Sequence, residues 1–496
     1  MKKRTKFYNS PLVGFILSLV VNILFLFVLI NLGDYLSISR NGFVIAVSAI
    51  SVFALLVNLL FIWGFAYRKS TVRKVFVIIS SLLILGFGFT VYFTNRLNKG
   101  IDALIDQDNE ELLDYSFVTL EEGKTADNLF SENSIGYVEG DEIFNEAIKK
   151  EISNQSPTVE VKVYDRYEDM LHSLIEAETL DVAILPKHFN SYAEGMSEYA
   201  QDALREAHVI HNFNIKISTR EQSAAKVLEE PFSVLMLGIN ENLADSIILT
   251  TINPNTLDVT MTSIARDSYV PISCYRNQSS DKINHSRKIS RQCLIDTVEE
   301  LLDTEVDFYF ETDFYALVKI VDVLGGLEIE SPISFGGSLP KEDNPNEYHE
   351  VYIQEGKHLM TGQQVITFAR ERHHFPTGDF QRQLNQQYVI KELVNKIFQE
   401  SKRNVETPIK VLESAQDNIV MNLSMNRDIS PLLGFAINNI AASPVSPMET
   451  FNIRSIQLHG DVSTVGNMSV IVPYRYSVED VREIIKQTRS TEIKKP

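Results

Sequence analysis

Cysteine is almost absent: Cys274 and Cys293 are the only two in 496 residues. No cluster of Cys and His with metal-ligand spacing exists, so a zinc-binding module is excluded. The two thiols either form one disulfide in an oxidising compartment or stay as separate buried thiols, and sequence leaves both open. His208/His211 and His373/His374 come without partner ligands and read as surface or loop residues. Positive charge is scarce beyond the N-terminus. Residues 1–96 hold ten Lys and Arg and one acid, which leaves 36 basic against 64 acidic residues, a net of −28, in the remainder. Non-specific nucleic-acid binding needs a basic face, so no nucleic-acid partner is expected.

Charge is also missing from three long runs, 12–32, 43–67 and 75–93. Each is near the ~20 residues a helix needs to cross a bilayer. A cleaved signal peptide would show one shorter run, so three transmembrane helices are predicted. Lys2, Lys3, Arg4 and Lys6 precede the first run, and Arg68, Lys69, Arg73 and Lys74 follow the second, whereas 33–42 carries only Asp34 and Arg40. Basic loops stay cytoplasmic, and an odd number of spans places everything after residue 93 outside the cytoplasm.

The length exceeds a single domain, so two folded domains are expected beyond a membrane anchor at 1–97. The first, 98–227, opens with a polar stalk at 98–108. It then alternates strands at 115–120, 159–164, 180–185 and 208–218 with helices at 142–152 and 167–178. It holds no catalytic constellation and reads as a spacer or docking module. The second domain, 228–490, has strands at 232–237, 246–252 and 257–264. The turn Asn253-Pro254-Asn255 makes the last two a hairpin. Helices follow at 293–302, 314–324, which Gly325-Gly326 terminates, and 381–402, with mixed elements from 409 to 485.

Polar residues gather at three places in this second domain. They are a polar loop from Gly238 through Asn240 to Asp245 and Ser246, the segment Ser263 to Ser268 with Arg266 and Asp267, and 368–386 with Arg370, Arg372, Asp379, Arg382 and Gln386. Arg370 and Arg372, two apart on a predicted strand, leave one face, while Arg382 and Gln386, four apart on a helix, share another. Arginines aimed at one place repel unless an anion lies between them, and paired guanidinium hydrogen bonds suit a pyrophosphate. Asp245 suits a hard divalent cation such as magnesium on the same phosphates. The plainer readings are Asp379 as a helix N-cap, Arg266 and Asp267 as one exposed ion pair, and Arg370 and Arg372 on a solvated edge strand.

Taken in order, Val234-Leu-Met-Leu-Gly238, Asp245-Ser246, Ser263-Ile-Ala-Arg-Asp267, Asp281-Lys-Ile-Asn-His285, Val321-Asp-Val-Leu-Gly-Gly-Leu327, Phe368-Ala-Arg-Glu-Arg372 and Gly378-Asp-Phe-Gln-Arg382 with Asn385-Gln-Gln387 resemble the LytR-CpsA-Psr family, in particular its streptococcal capsule-associated members. The resemblance implies an α/β fold: three N-terminal transmembrane helices, an extracytoplasmic α/β accessory domain, and an α/β catalytic domain with a central mixed sheet flanked by helices. It also implies a magnesium-dependent phosphotransferase that moves a capsular or related wall polymer from a polyprenyl-pyrophosphate carrier to peptidoglycan, with pyrophosphate hydrolysis as a side reaction. Its further partners would be membrane lipid and capsule-synthesis proteins. Carried onto matching positions, Arg266, Arg370, Arg372, Arg382 and Gln386 hold the pyrophosphate, and Asp245 and Asn240 hold magnesium. Arg266 also stabilises the leaving group, while Asp267 or Asp379 orients an arginine or accepts a proton. The lipid tail would take an apolar groove of the catalytic domain, for which the sequence offers only the apolar helix 314–324 beside Gly325-Gly326 as a marker. Two positions depart from the pattern: Asn240 replaces an acid and Leu243 an arginine. They raise an alternative, a catalytically weak regulator or scaffold of wall-polymer synthesis.

Overall fold

The computed structural model describes residues 9–35, 40–102, 110–123, 134–140, 142–155, 159–187, 189, 196–218, 227–240, 243–340, 347–404, 406–423, 428–429, 432, 450–466 and 468–490. The basic residues Lys2, Lys3, Arg4 and Lys6, and part of the expected stalk, lie outside them. Three helices come first, Pro11–Tyr35, Arg40–Ala66 and Ser70–Asp102. Among the described residues, Pro11–Val28 and Ser70–Gly100 are long and apolar enough to cross a membrane, and Ala54–Ala66 is a shorter apolar stretch. The helices pack together. Asn22 and Asn58 exchange side-chain hydrogen bonds of 3.1 Å, with Ser18 donating to Asn58 at 2.7 Å. The third helix runs through the start of the predicted stalk, and its Arg96 forms two 2.6 Å bonds with Glu413 of the Thr407–Ala415 helix.

Two mixed sheets follow. The first has five strands in the order Glu160–Tyr164, Ser134–Val138, Val182–Pro186, Glu110–Thr119, His208–Ser218. Ser134–Val138 was not among the predicted strands; it is short, contains Gly136, and is buried throughout. The helices Glu142–Gln155 and Tyr167–Ile175 match prediction. His211 is not a free surface ring, since its Nε2 lies 3.0 Å from Glu151.

The second sheet has six strands, ordered Ile419–Met421, Phe308–Asp313, Phe232–Asn240, Leu243–Asn253, Asp258–Ile264, Asn452–Gln457. Alternation along its strands separates two faces. Leu235, Leu237 and Leu249 join Leu294, Val298 and Val481 in a core that continues into the five-stranded sheet through Phe117, Leu171 and Ile215. Met236 and Ile248 face the other way, toward Phe314, Leu317 and Leu393. The five-stranded sheet shares this core and is also tied to the second sheet by charge pairs. Glu111 on the Glu110–Thr119 strand reaches Arg287 at 2.6 Å, and Glu311 pairs with both Arg287 and Arg291 at 2.5 Å.

Cys274 and Cys293 form a disulfide, with Cα atoms 5.5 Å apart. It resolves the pair that sequence left open.

Candidate functional site

Four arginines expected at the site come together. Arg266, Arg370, Arg372 and Arg382 line one cavity of about 310 Å³, with Asp245, Glu371, His373, Gln386, Phe314 and the Gly337–Leu339 segment. Four guanidinium groups and two carboxylates, Asp245 and Glu371, form its wall, while Asp267 and Asp379 pair with Arg266 and Arg382 from outside the lining. A wall richer in guanidinium than in carboxylate suits an anion.

Each is placed by local structure. Asp245 does not sit in a loop: it lies within the Leu243–Asn253 strand, where the register with Phe232–Asn240 skips it, Gly238 facing Ser246 and Ile239 facing Ala244. Such a bulge re-aims its side chain out of the ladder. The Asp245 carboxylate meets Arg266 at 2.5 Å, and Arg266 and Asp267 are largely buried, so the exposed ion pair is excluded. Asp267 in turn pairs with Lys282 at 2.9 Å. Burial pushes the Asp267 carboxyl up, but Lys282 and Arg266 outweigh it and hold it below the usual carboxylate range.

Arg370 and Arg372 are not two residues of one strand. Gly362–Arg370 is a helix that Thr361 and Gln364 start with a reciprocal capping box, and Arg370 is its last residue. Arg370 lies over the Phe314 ring at 4.4 Å. Arg372 follows in a turn that Glu371 organises by accepting from the His373 and His374 amides at 2.5 and 2.9 Å. Burial raises the Glu371 carboxyl, yet the His374 amide and ring and the His373 amide bring it below the usual range. Both arginines still reach the cavity, by a helix end and a turn. His373 accepts from Arg372 Nε at 3.3 Å.

The Asp379–Arg403 helix supplies Arg382 and Gln386 from one face, as predicted. Gly378 occupies its N-cap, in a left-handed conformation with φ 54°, and Asp379 is the first helical residue, so the N-cap reading of Asp379 gives way. Asp379 instead pairs with Arg382 at 2.5 Å. Arg382 is buried; desolvation lowers its pKa, Asp379 opposes this and Arg266 adds to it. Its Nε makes no hydrogen bond among the described residues. A buried guanidinium N–H lining a cationic cavity is a ready donor to an anion. Gln386 accepts from Ser246 Oγ at 3.0 Å.

Asn240 is not brought to this cavity. It closes the strand pair opposite Leu243, which is itself buried. Among the described residues, no three His, Cys, Asp or Glu side chains gather as a metal cage. Magnesium commonly keeps its waters and needs one or two carboxylates plus phosphate oxygens, a demand that Asp245 fits.

A second cavity of about 140 Å³ adjoins the first, sharing Phe314, Arg370 and Gln386. It lies between the sheet and the Phe314–Val323, Gly362–Arg370 and Asp379–Arg403 helices, and is lined by Met236, Ile248, Phe310, Leu317, Ile320 and Leu393 among others. From sequence only the apolar 314–324 helix marked where such a groove would lie, and this cavity is lined by residues of that helix. Sequence reading missed Lys282, Phe314 and Glu371 as parts of the site; the first stands in a quoted motif and the last between two arginines.

The LytR_cpsA_psr family model matches residues 188–487. The chain is 28% identical over 276 residues to Biofilm regulatory protein A of Streptococcus mutans, covering 52% of this chain and 62% of that protein. It is 34% identical over 190 residues to the polyisoprenyl-teichoic acid–peptidoglycan teichoic acid transferase TagU of Bacillus licheniformis, covering 37% and 58%. The chain therefore spans about three fifths of the length of these relatives. A solved structure of a Streptococcus agalactiae protein aligns with TM-score 0.47 and 26% identity over 55% of this chain and 93% of that one. With the family model matching well over half of the sequence, this chain belongs to the LytR-CpsA-Psr family.

Proposed function

We propose that the chain transfers a glycopolymer, a capsular polysaccharide or related anionic wall polymer, from a polyprenyl-pyrophosphate carrier to peptidoglycan through a phosphodiester link. The observation that carries this reading is the junction of a four-arginine cavity with an apolar one across Phe314, Arg370 and Gln386. A pyrophosphate esterified to a long isoprenoid needs those two environments side by side.

The pyrophosphate lies among Arg266, Arg370, Arg372, Arg382 and Gln386, and the start of the lipid tail among Leu317, Ile320 and Leu393. The acceptor hydroxyl oxygen bonds to the sugar-side phosphorus as the bridging P–O bond breaks, and the electron pair leaves with the lipid phosphate. The arginines, Arg266 foremost, stabilise charge on that leaving oxygen. The hydroxyl proton passes to Asp379 or Asp267, or to solvent. Asp267, held ionised by Lys282 and Arg266, is better suited to orienting Arg266, which leaves Asp379 as the acceptor beside Arg382. Asp245 would hold a magnesium ion, which would supply neutralisation of pyrophosphate charge, whereas Asn240, outside the cavity lining, would not reach it. The three N-terminal helices span the membrane with a cytoplasmic N-terminus, the five-stranded sheet is an accessory domain at 98–227, and the catalytic domain spans 228–490 outside. Named relatives that transfer teichoic acid to peptidoglycan support the same reading.

The second reading, a catalytically weak regulator, is favoured by Leu243, whose buried apolar side chain supplies no charge, and by Asn240 outside the cavity lining. The deciding experiment supplies the purified full chain with a synthetic polyprenyl-pyrophosphate glycan, peptidoglycan oligomers and magnesium. Phosphodiester-linked product, lost on chelation, is expected. Tight lipid binding without turnover would replace transfer by regulation.

A further inference from the structure

Beside the arginine cavity stands a set of aromatic rings that the reaction above does not use. After the edge strand Asn452–Gln457 the chain forms a hairpin, Gly460–Val465 with Met468–Pro473, and then the Arg475–Arg489 helix. The hairpin is fastened to the segment that carries Arg266 and Asp267: Ile471 N donates to Asp267 O at 2.8 Å, and Leu458 N to Ser263 O at 2.9 Å. At its foot Tyr474 N donates to His459 O at 2.9 Å. The exposed His459 ring lies 5.3 Å from the ring of Phe380, the residue after Asp379. Tyr474 and Tyr476 stack at 5.1 Å with only 13° between their planes. The Tyr474 hydroxyl donates to Asp461 on the hairpin, which fixes the ring, and Tyr476 is 61% exposed.

We propose that Phe380, His459, Tyr474 and Tyr476 form the subsite for the acceptor glycan, a strand of pyranose sugars, an inference that rests on the transfer reaction proposed above. Pyranose rings present an apolar C–H face and an edge of hydroxyls. Flat aromatic faces take the first, and the ring polar atoms with Asp461 and Arg475 take the second. Exposed aromatic faces mark a contact, and here the charged Asp461 and Arg475 lie among them, which fits a sugar better than a protein interface. Continuity places the occupant. The strip runs from the backbone of Asp267, which orients Arg266, to the neighbour of Asp379, the carboxylate assigned to the attacking hydroxyl. It shares no residue with the apolar cavity that receives the carrier.

The test compares the full-length chain with His459→Ala, Tyr476→Ala and the double variant; the described hydrogen bonds of His459 are made by its backbone, and Tyr476 is exposed, so folding is retained. The double variant should raise KM for peptidoglycan glycan oligomers about tenfold, while KM for the lipid-linked donor stays within about twofold. An acceptor KM that does not move overturns the subsite while leaving transfer standing. A rise in donor KM instead assigns the strip to the polymer being moved. Should the wild type transfer nothing, the reaction itself fails. Saturation-transfer NMR of the same oligomers on the full chain then decides the strip alone: binding lost in the double variant upholds it, and equal or absent binding overturns it.

Discussion

Glu111 and Arg287 meet at 2.6 Å although they belong to different sheets' surroundings and stand far apart in sequence, and both are buried. Arg287 shares Glu311 with Arg291, whose guanidinium also lies 4.6 Å from the Tyr309 ring centre. Two arginines and two carboxylates thus neutralise one another where the five-stranded sheet joins the six-stranded one. Glu111→Gln should leave two buried arginines facing one carboxylate, at a cost of about 3 kcal/mol or more. Denaturant unfolding of the full chain in detergent checks this. An unchanged midpoint would mean that this cluster does not hold the two sheets together.

Acid should act on the same cluster. Burial alone would raise the Glu311 carboxyl, but Arg287 and Arg291 bring it to about 2 from an ordinary value of 4.5. A depressed carboxyl contributes stability that is present above its unfolded pKa and is lost as pH falls toward the folded one. Stability should therefore decline between pH 4.5 and 2. In Glu311→Gln, unfolding followed by circular dichroism should show a shallower acid dependence in that window.

Arg370→Ala should reduce polymer transfer by roughly 100-fold or more, as expected when one preorganised cation is removed from a site that stabilises charge. The capping box that starts its helix at Thr361 and Gln364 is untouched, so the fold should be kept while transfer falls. Transfer at the wild-type rate in this variant would sink the pyrophosphate assignment.

Leu317→Trp should fill the apolar cavity of about 140 Å³ and leave the arginines in place. KM for a long polyprenyl carrier should rise more than KM for a short isoprenyl analogue. Equal effects on both would mean that the tail lies elsewhere.

The disulfide joins two residues 19 apart in sequence and closes a segment that includes Lys282, the partner of Asp267. Replacing both cysteines by alanine should cost about 3 kcal/mol on the chain-entropy account. Thermal unfolding with and without reductant measures it, and reductant should shift only the wild type.

Much of the site was legible because local rules suffice for it. The turn Asn253-Pro254-Asn255 gave the hairpin, and Asn253 Oδ1 does accept from the Asn255 and Thr256 amides at 3.0 and 3.3 Å. The four-residue spacing of Arg382 and Gln386 put both on one helical face. Arg370 was misplaced on a strand because Val365, Ile366, Thr367 and Phe368 look like one, with alternating charge after them. The competing signal, Thr361 and Gln364 as a capping box, was present three residues apart. Asp245 could not be read correctly, since a bulge depends on how two strands register. Nor could Glu111 be linked to Arg287, a pairing set by the packing of two sheets and by no local pattern.

The bidentate contact of Arg96 with Glu413 has a consequence for reach. It ties the end of the third apolar helix to a helix whose Val411 and Ala415 pack on Ala316 and Ile320, beneath the carrier cavity. On the proposed function this contact sets the catalytic part close against the apolar helices, so the acceptor strands within its reach are those that lie beside the bilayer.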